Sequence, residues 1–111
     1  MYQLVYHKSM TTEKWFAYPG SQQLLMIANE LNRAQHALEK GDNAYAIHAW
    51  ERAFELTDLT VEDRKNGRLL KELLRFREMM GETFISFDPA MNKLLMDLLV
   101  GLDPVAYNAM H

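Results

Sequence analysis

Between Glu30 and Leu56 the chain reads ELNRAQHALEKGDNAYAIHAWERAFEL, a stretch that carries the stop of one helix and the start of the next. Upstream of the turn, Leu24, Ile27, Ala28, Leu31, Ala34 and Leu38 recur at three- and four-residue intervals, which makes one apolar stripe of a helix ending near Lys40. Gly41 can adopt the left-handed backbone that closes a helix, and Asp42 can cap the one that follows. A reversal this short forces the two helices to pack antiparallel. In the second helix Ala46, Ile47, Trp50, Ala53, Phe54 and Thr57 are expected to face inward, with His48, Glu51, Arg52 and Glu55 facing away.

The remaining helices are placed by the same kinds of signal. Tyr18-Pro19-Gly20 forms a turn and leaves Ser21 as the expected N-cap of the first hairpin helix. Asp58-Leu59-Thr60 is expected to end the second, and Thr60 with Asp63 to cap a third that runs to Met80 and closes at Gly81. Its core positions are Leu69, Leu70, Leu73, Leu74, Phe76 and Met80, and Gly67 costs about 1 kcal/mol relative to Ala, which makes its first turns the least stable. Phe84 to Phe87 reads as an apolar connector. Asp88-Pro89 starts a fourth helix that ends at Gly101, and Asp103-Pro104 starts a short last one toward Met110. Thr12 can cap a brief helix through Trp15 and Phe16. Tyr2, Leu4 and Tyr6 alternate like a strand that has no partner. The expected fold is all-α: an antiparallel bundle of four main helices with short terminal helical pieces. A chain of 111 residues with 49% hydrophobic content suffices for one core, so residues 1–111 are expected to form a single helical domain.

The fourth helix is apolar around most of its circumference. Met91, Leu94, Leu95, Leu98, Leu99 and Leu102 are expected on the core face, with Met96 and Val100 roughly opposite. A helix of this kind needs cover on two sides, which either a central place in a monomer or a second copy of the chain can supply; the second points to a homodimer through this helix.

The hairpin resembles one tetratricopeptide repeat. Lys40-Gly41-Asp42, Ala46-Ile47, the aromatic Trp50, and Ala53 with Leu56 follow the order and spacing of that repeat's second helix, and Ala34, Ala37 and Leu38 suit its first. The likeness covers Leu31 to Leu56. It departs from the repeat at Ala37, where an aromatic is favoured, and at Asp58, which stands in place of a terminating proline; no second copy of the unit follows. The resemblance implies a surface that binds peptide or protein rather than a catalytic site.

The net charge is −3, from 12 Lys plus Arg against 15 Asp plus Glu, and it gives no global attraction to nucleic acid or an anionic membrane. No cysteine is present, which excludes disulfides and thiolate metal sites and suits a reducing compartment. The start MYQLVYHKSM lacks the pattern of a signal peptide and no apolar run is long enough to span a bilayer, so a cytoplasmic location and no membrane partner are expected. Inward Glu-x-x-His pairs, the ligand pattern of di-metal bundles, do not occur; His36-x-x-Glu39 and His48-x-x-Glu51 run in the reverse order. The glycines are isolated and form no phosphate loop. No catalytic residue, cofactor or metal is assigned, and the chain is expected to be non-enzymatic.

Two sets of residues are candidates for binding. Trp15, Phe16 and Tyr18 cluster without helical periodicity; such a cluster is first expected to cap the end of the bundle and, as the alternative, to contact a protein partner together with Met96 and Val100. Arg64, Arg68, Lys71 and Arg75 fall within about 60° of one another at about 3.6 residues per turn, a basic stripe on the third helix suited to an anion or phosphate backbone. Glu72 and Glu78 flank that stripe, and no aromatic is interleaved with it. A protein interaction or adaptor module is therefore the leading expectation, and a regulatory nucleic-acid-binding protein the alternative.

Overall fold

A computed structural model of the chain describes residues 12–86 and 89–110. The alternating Tyr2, Leu4 and Tyr6, and the expected cap Asp88, lie outside them. The described residues form α1 (Thr12–Ala17), α2 (Gly20–Glu39), α3 (Asn43–Glu62), a 3-10 segment (Arg64–Leu69), α4 (Leu70–Ser86), α5 (Pro89–Val100) and α6 (Pro104–Met110), with no strand among them. The expected all-α bundle is the fold. Helices α2, α3, α4 and α5 are packed in a ring in which each touches the two beside it, with α6 against α2 and α5 and α1 against α3. Cross-helix pairs such as Glu30 with Arg52, Thr57 with Met80 and Asp58 with Arg77 show that α3 runs antiparallel to α2 and to α4.

The α2–α3 hairpin forms as its sequence requires. Gly41 sits at φ 77°, its N–H donates to Leu38 O, and the Asp42 N–H reaches back to Ala37 O at 2.8 Å, so the last carbonyls of α2 are satisfied by the reversing residues. The Asp42 carboxylate then accepts from Tyr45 N at 3.1 Å and caps α3. Ala34, Ala37, Ala46, Ala49 and Ala53 are buried, and these small side chains let the two helices approach closely. Larger groups fill the centre: Trp50, Leu24, Ile27, Leu31, Leu56, Leu73, Met80, Leu95 and Leu99 are fully buried. Each contributes on the order of 1.5–3 kcal/mol through lost apolar exposure.

Several boundaries differ from expectation, each for a tertiary reason. Helix α2 begins at Gly20 with Pro19 as its N-cap, and no side chain caps it, so Ser21 is inside the helix. Helix α3 continues through Asp58 to Glu62 because Thr57, Leu59 and Thr60 are buried, and the two threonine hydroxyls donate to Ala53 O and Leu56 O. Residues 64–69 adopt a 3-10 helix capped by Asp63, whose carboxylate accepts from Lys65 N. Helix α4 runs through Gly81 to Ser86 rather than closing there. Phe84 packs edge-to-face on Trp50 and Phe54 at 5.7 Å, and the Thr83 hydroxyl donates to Met79 O; this packing outweighs the roughly 1 kcal/mol cost of an interior glycine. Within α4, Leu73, Phe76 and Met80 are buried as expected, whereas Leu70 and Leu74 are exposed.

Candidate functional site

The orientation of α5 decides what the surface offers. Asn92 is completely buried: it accepts from Trp50 Nε1 at 2.9 Å and donates to Leu31 O at 2.9 Å and to Gln35 Oε1 at 3.1 Å. A buried amide left without such partners would cost about 1–3 kcal/mol, so these bonds hold the Asn92 edge of α5 inward. At about 100° per residue Leu95, Met96, Leu99 and Val100 flank Asn92 and are buried with it. The expected partner contacts Met96 and Val100 are therefore core residues. Leu94 and Leu98, expected in the core, are instead 46% and 44% exposed. The sequence identifies a helix with too much apolar surface for one interface and places Leu95 and Leu99 correctly in the core, but Leu94 and Leu98 exchange places with Met96 and Val100.

Beside Leu98 lies a cleft of about 180 Å³ between α4 and α5, lined by Glu72, Arg75, Phe76, Met79, Leu98 and Leu102. Its floor is apolar and its α4 rim carries one acid and one base. Phe76 is buried, Met79 and Leu102 are half-buried, and Leu94 extends the same apolar edge by one turn of α5. This is a concave surface with a mainly apolar lining.

The aromatic cluster lies at the C-terminal end of α3. Trp15 is fully buried, in keeping with a cap on the bundle and not with a partner contact; its indole N–H donates to Thr60 Oγ1 at 3.1 Å and its ring meets Tyr18 edge-on at 5.9 Å. Tyr18 is half-buried, and Phe16 alone of the three is exposed. A polar network fixes this cap. Gln23 Nε2 donates to Trp15 O and to Asp63 Oδ2, and Asn66 Nδ2 donates to Gln23 Oε1 and Thr60 O, all between 2.8 and 3.1 Å. The Lys65 ammonium bridges Asp63 and Phe16 O. Burial pushes the Asp63 carboxyl up, but hydrogen bonds from the Lys65 ammonium, the Gln23 amide and Lys65 N, together with the lysine charge, outweigh it and leave Asp63 below its ordinary value. Gly20 abuts this network closely enough that a Cβ there would lie 2.7 Å from Asn66 Oδ1. Every buried side-chain polar atom among the described residues has a hydrogen-bond partner, so the network forms a closed joint rather than an open polar pocket.

The basic candidates are exposed but do not share one helix. Arg64 and Arg68 belong to the 3-10 segment and Lys71 and Arg75 to α4. At about three residues per turn Arg64 and Arg68 point about 120° apart, which breaks the expected stripe. Elsewhere, Glu30 is buried and bonded at 2.6 Å to both Arg33 and Arg52, and Arg52 also lies over the Tyr45 ring. Glu55, Asp58, Leu59 and Glu62 line an acidic cleft, and among the described residues no group of three or more His, Cys, Asp or Glu side chains is placed to hold a metal ion. No described helix is long and apolar enough to cross a membrane.

Comparison with protein-family models, with curated proteins and with solved structures yields no match to this chain.

Proposed function

We propose that this protein is a non-enzymatic interaction module whose binding face is the α4–α5 edge. The observation that carries this reading is the exposure of Leu94 and Leu98 beside the apolar cleft of Phe76, Met79 and Leu102. Exposed leucines on a concave apolar surface are stabilised when a partner covers them. The tetratricopeptide-like hairpin fits the same class of function, although in this bundle α2 and α3 serve as scaffold and the unpartnered surface lies on the other helix pair. A chain without cysteine suits the cytoplasm, where this reading places it.

The test is site-directed photo-crosslinking in the native cell. A photoreactive residue at Leu98 should give protein adducts that are absent when it replaces the exposed His48 on α3. Equal yields at the two positions, or none at either, would sink the reading.

A second reading keeps the basic residues. Arg64, Arg68, Lys71 and Arg75 are all exposed, and none is engaged in an ion pair among the described residues, which leaves them able to meet phosphates. A salt-dependent mobility shift with RNA or DNA that Arg68→Glu abolishes would support it. The absence of any shift at low salt would end it.

A further inference from the structure

We infer that the occupant of the α4–α5 face is a second copy of this chain, held by two α5 helices packed antiparallel about a two-fold axis. The inference rests on the reading of this face as the binding face and names what covers it.

The argument is one of charge and register. Lys93 and Asp97 stand one turn apart on one edge of the Leu94–Leu98 stripe, both exposed, and neither forms an ion pair among the described residues. When two identical helices pack antiparallel about a two-fold axis, like edges meet and residue i faces j while j faces i. Positions 93 and 97 are centred on residue 95, and positions 94 and 98 on residue 96, an offset of about 1.5 Å along the helix. An axis midway between the two levels brings Leu94 to Leu98 of the second copy and Lys93 to Asp97 of the second copy, each pair within about 1.5 Å of level and inside side-chain reach. Without a second copy, Leu94 and Leu98 keep nearly half their surface in water.

The opposite edge is consistent with this pairing. There the cleft carries Glu72 and Arg75, three residues apart on α4 and of opposite sign, so this rim brings no net charge to the interface. A foreign partner would need no symmetry like that of Lys93 and Asp97 in the charges of the face. The net charge of −3 per chain adds only a weak long-range repulsion, screened at physiological salt within about 8 Å.

The experiment is sedimentation equilibrium of the full chain and four variants at micromolar concentration, with circular dichroism confirming helix content. Wild type should sediment as a dimer, and Leu98→Glu as a monomer. Lys93→Glu places two acids against each other and Asp97→Lys two bases, so each variant alone should weaken dimerisation by at least tenfold. Mixed in equal amounts, the two carry complementary charges and should recover a heterodimer, and the double variant Lys93→Glu/Asp97→Lys should recover the homodimer. A monomeric wild type overturns the inference. So does a dimer that is indifferent to Leu98→Glu and to both reversals, or a mixture that fails to rescue. If wild type is monomeric while the crosslinker at Leu98 still captures another protein, the binding-face reading stands and only the second copy is lost; if neither is seen, both fall.

Discussion

The indole N–H of Trp50 on α3 donates to the Asn92 side-chain oxygen on α5 at 2.9 Å, across 42 residues of sequence, and this bond ties the α2–α3 hairpin to the second helix pair. Asn92 spends its remaining polar capacity on α2, at Leu31 O and Gln35 Oε1, so one side chain joins three of the four main helices. The amide is fully buried, and its alternatives are worse than its position: turned outward, it would leave Trp50 Nε1 and Leu31 O without this partner and bring Leu94 or Leu98 inward.

Asn92→Ala and Trp50→Phe should each destabilise the fold, the first by about 2–3 kcal/mol, because a buried donor loses its acceptor. In the double variant the losses should sum to less than the two single ones, by roughly 1 kcal/mol or more, since the bond can be lost only once. Urea midpoints of the four proteins measure this coupling. Strict additivity would mean that the bond does not contribute.

Asp63 predicts the acid limb of stability. Its folded pKa lies below the ordinary 3.8, so the unfolded chain takes up the proton first on acidification. The stabilisation is therefore complete above about pH 5, erodes as pH falls past 3.8 toward the lower folded value, and is gone below that value. Asp63→Asn should be less stable at neutral pH and lose less of its stability over that acid range. Urea titrations repeated across it compare the slopes, and equal slopes would show that Asp63 is not responsible.

Two glycines should respond to alanine for different reasons. Gly41→Ala strains a backbone at φ 77° and should cost on the order of 1 kcal/mol although the space around it is open. Gly20→Ala drives a methyl into Asn66, which cannot swing aside without releasing Gln23 and Thr60 O, and should cost about 1–3 kcal/mol. Thermal denaturation separates them further, because Asn66→Ala should relieve much of the Gly20→Ala penalty and leave that of Gly41→Ala unchanged.

Glu30 makes the two arginines that bond it unequal. Arg52 is 20% exposed and Arg33 57% exposed at the side chain, while the carboxylate they share is nearly buried. Arg52→Ala should destabilise by about 2–3 kcal/mol, since it leaves a buried charge poorly paired, and Arg33→Ala by less than about 1 kcal/mol. Equal losses in chemical denaturation would contradict this ranking.

Local chemistry made much of the fold legible in the sequence. The Gly41–Asp42 reversal, the proline starts of α5 and α6, the stop at Gly101 and the alanine-rich inner faces of the hairpin depend on backbone conformation and on neighbours three or four residues away, and those are written in the chain. The apolar excess of α5 was legible too, as a quantity. What only the tertiary structure decided is direction. Periodicity says that a helix has two apolar sides but not which one turns inward, and the choice was made by Asn92, whose partners lie 42, 57 and 61 residues away. The same holds at the other end of the bundle. For Trp15 the sequence left a bundle cap and a contact residue both open, because its cover, Thr60 with Gln23, Asp63 and Asn66, assembles only when α1 reaches α3, and α4 passed its glycine because Phe84 found Trp50 and Phe54. Short-range signals set where helices begin and end, and pairwise burial of polar and aromatic groups from distant segments set which faces the molecule keeps for itself and which it presents.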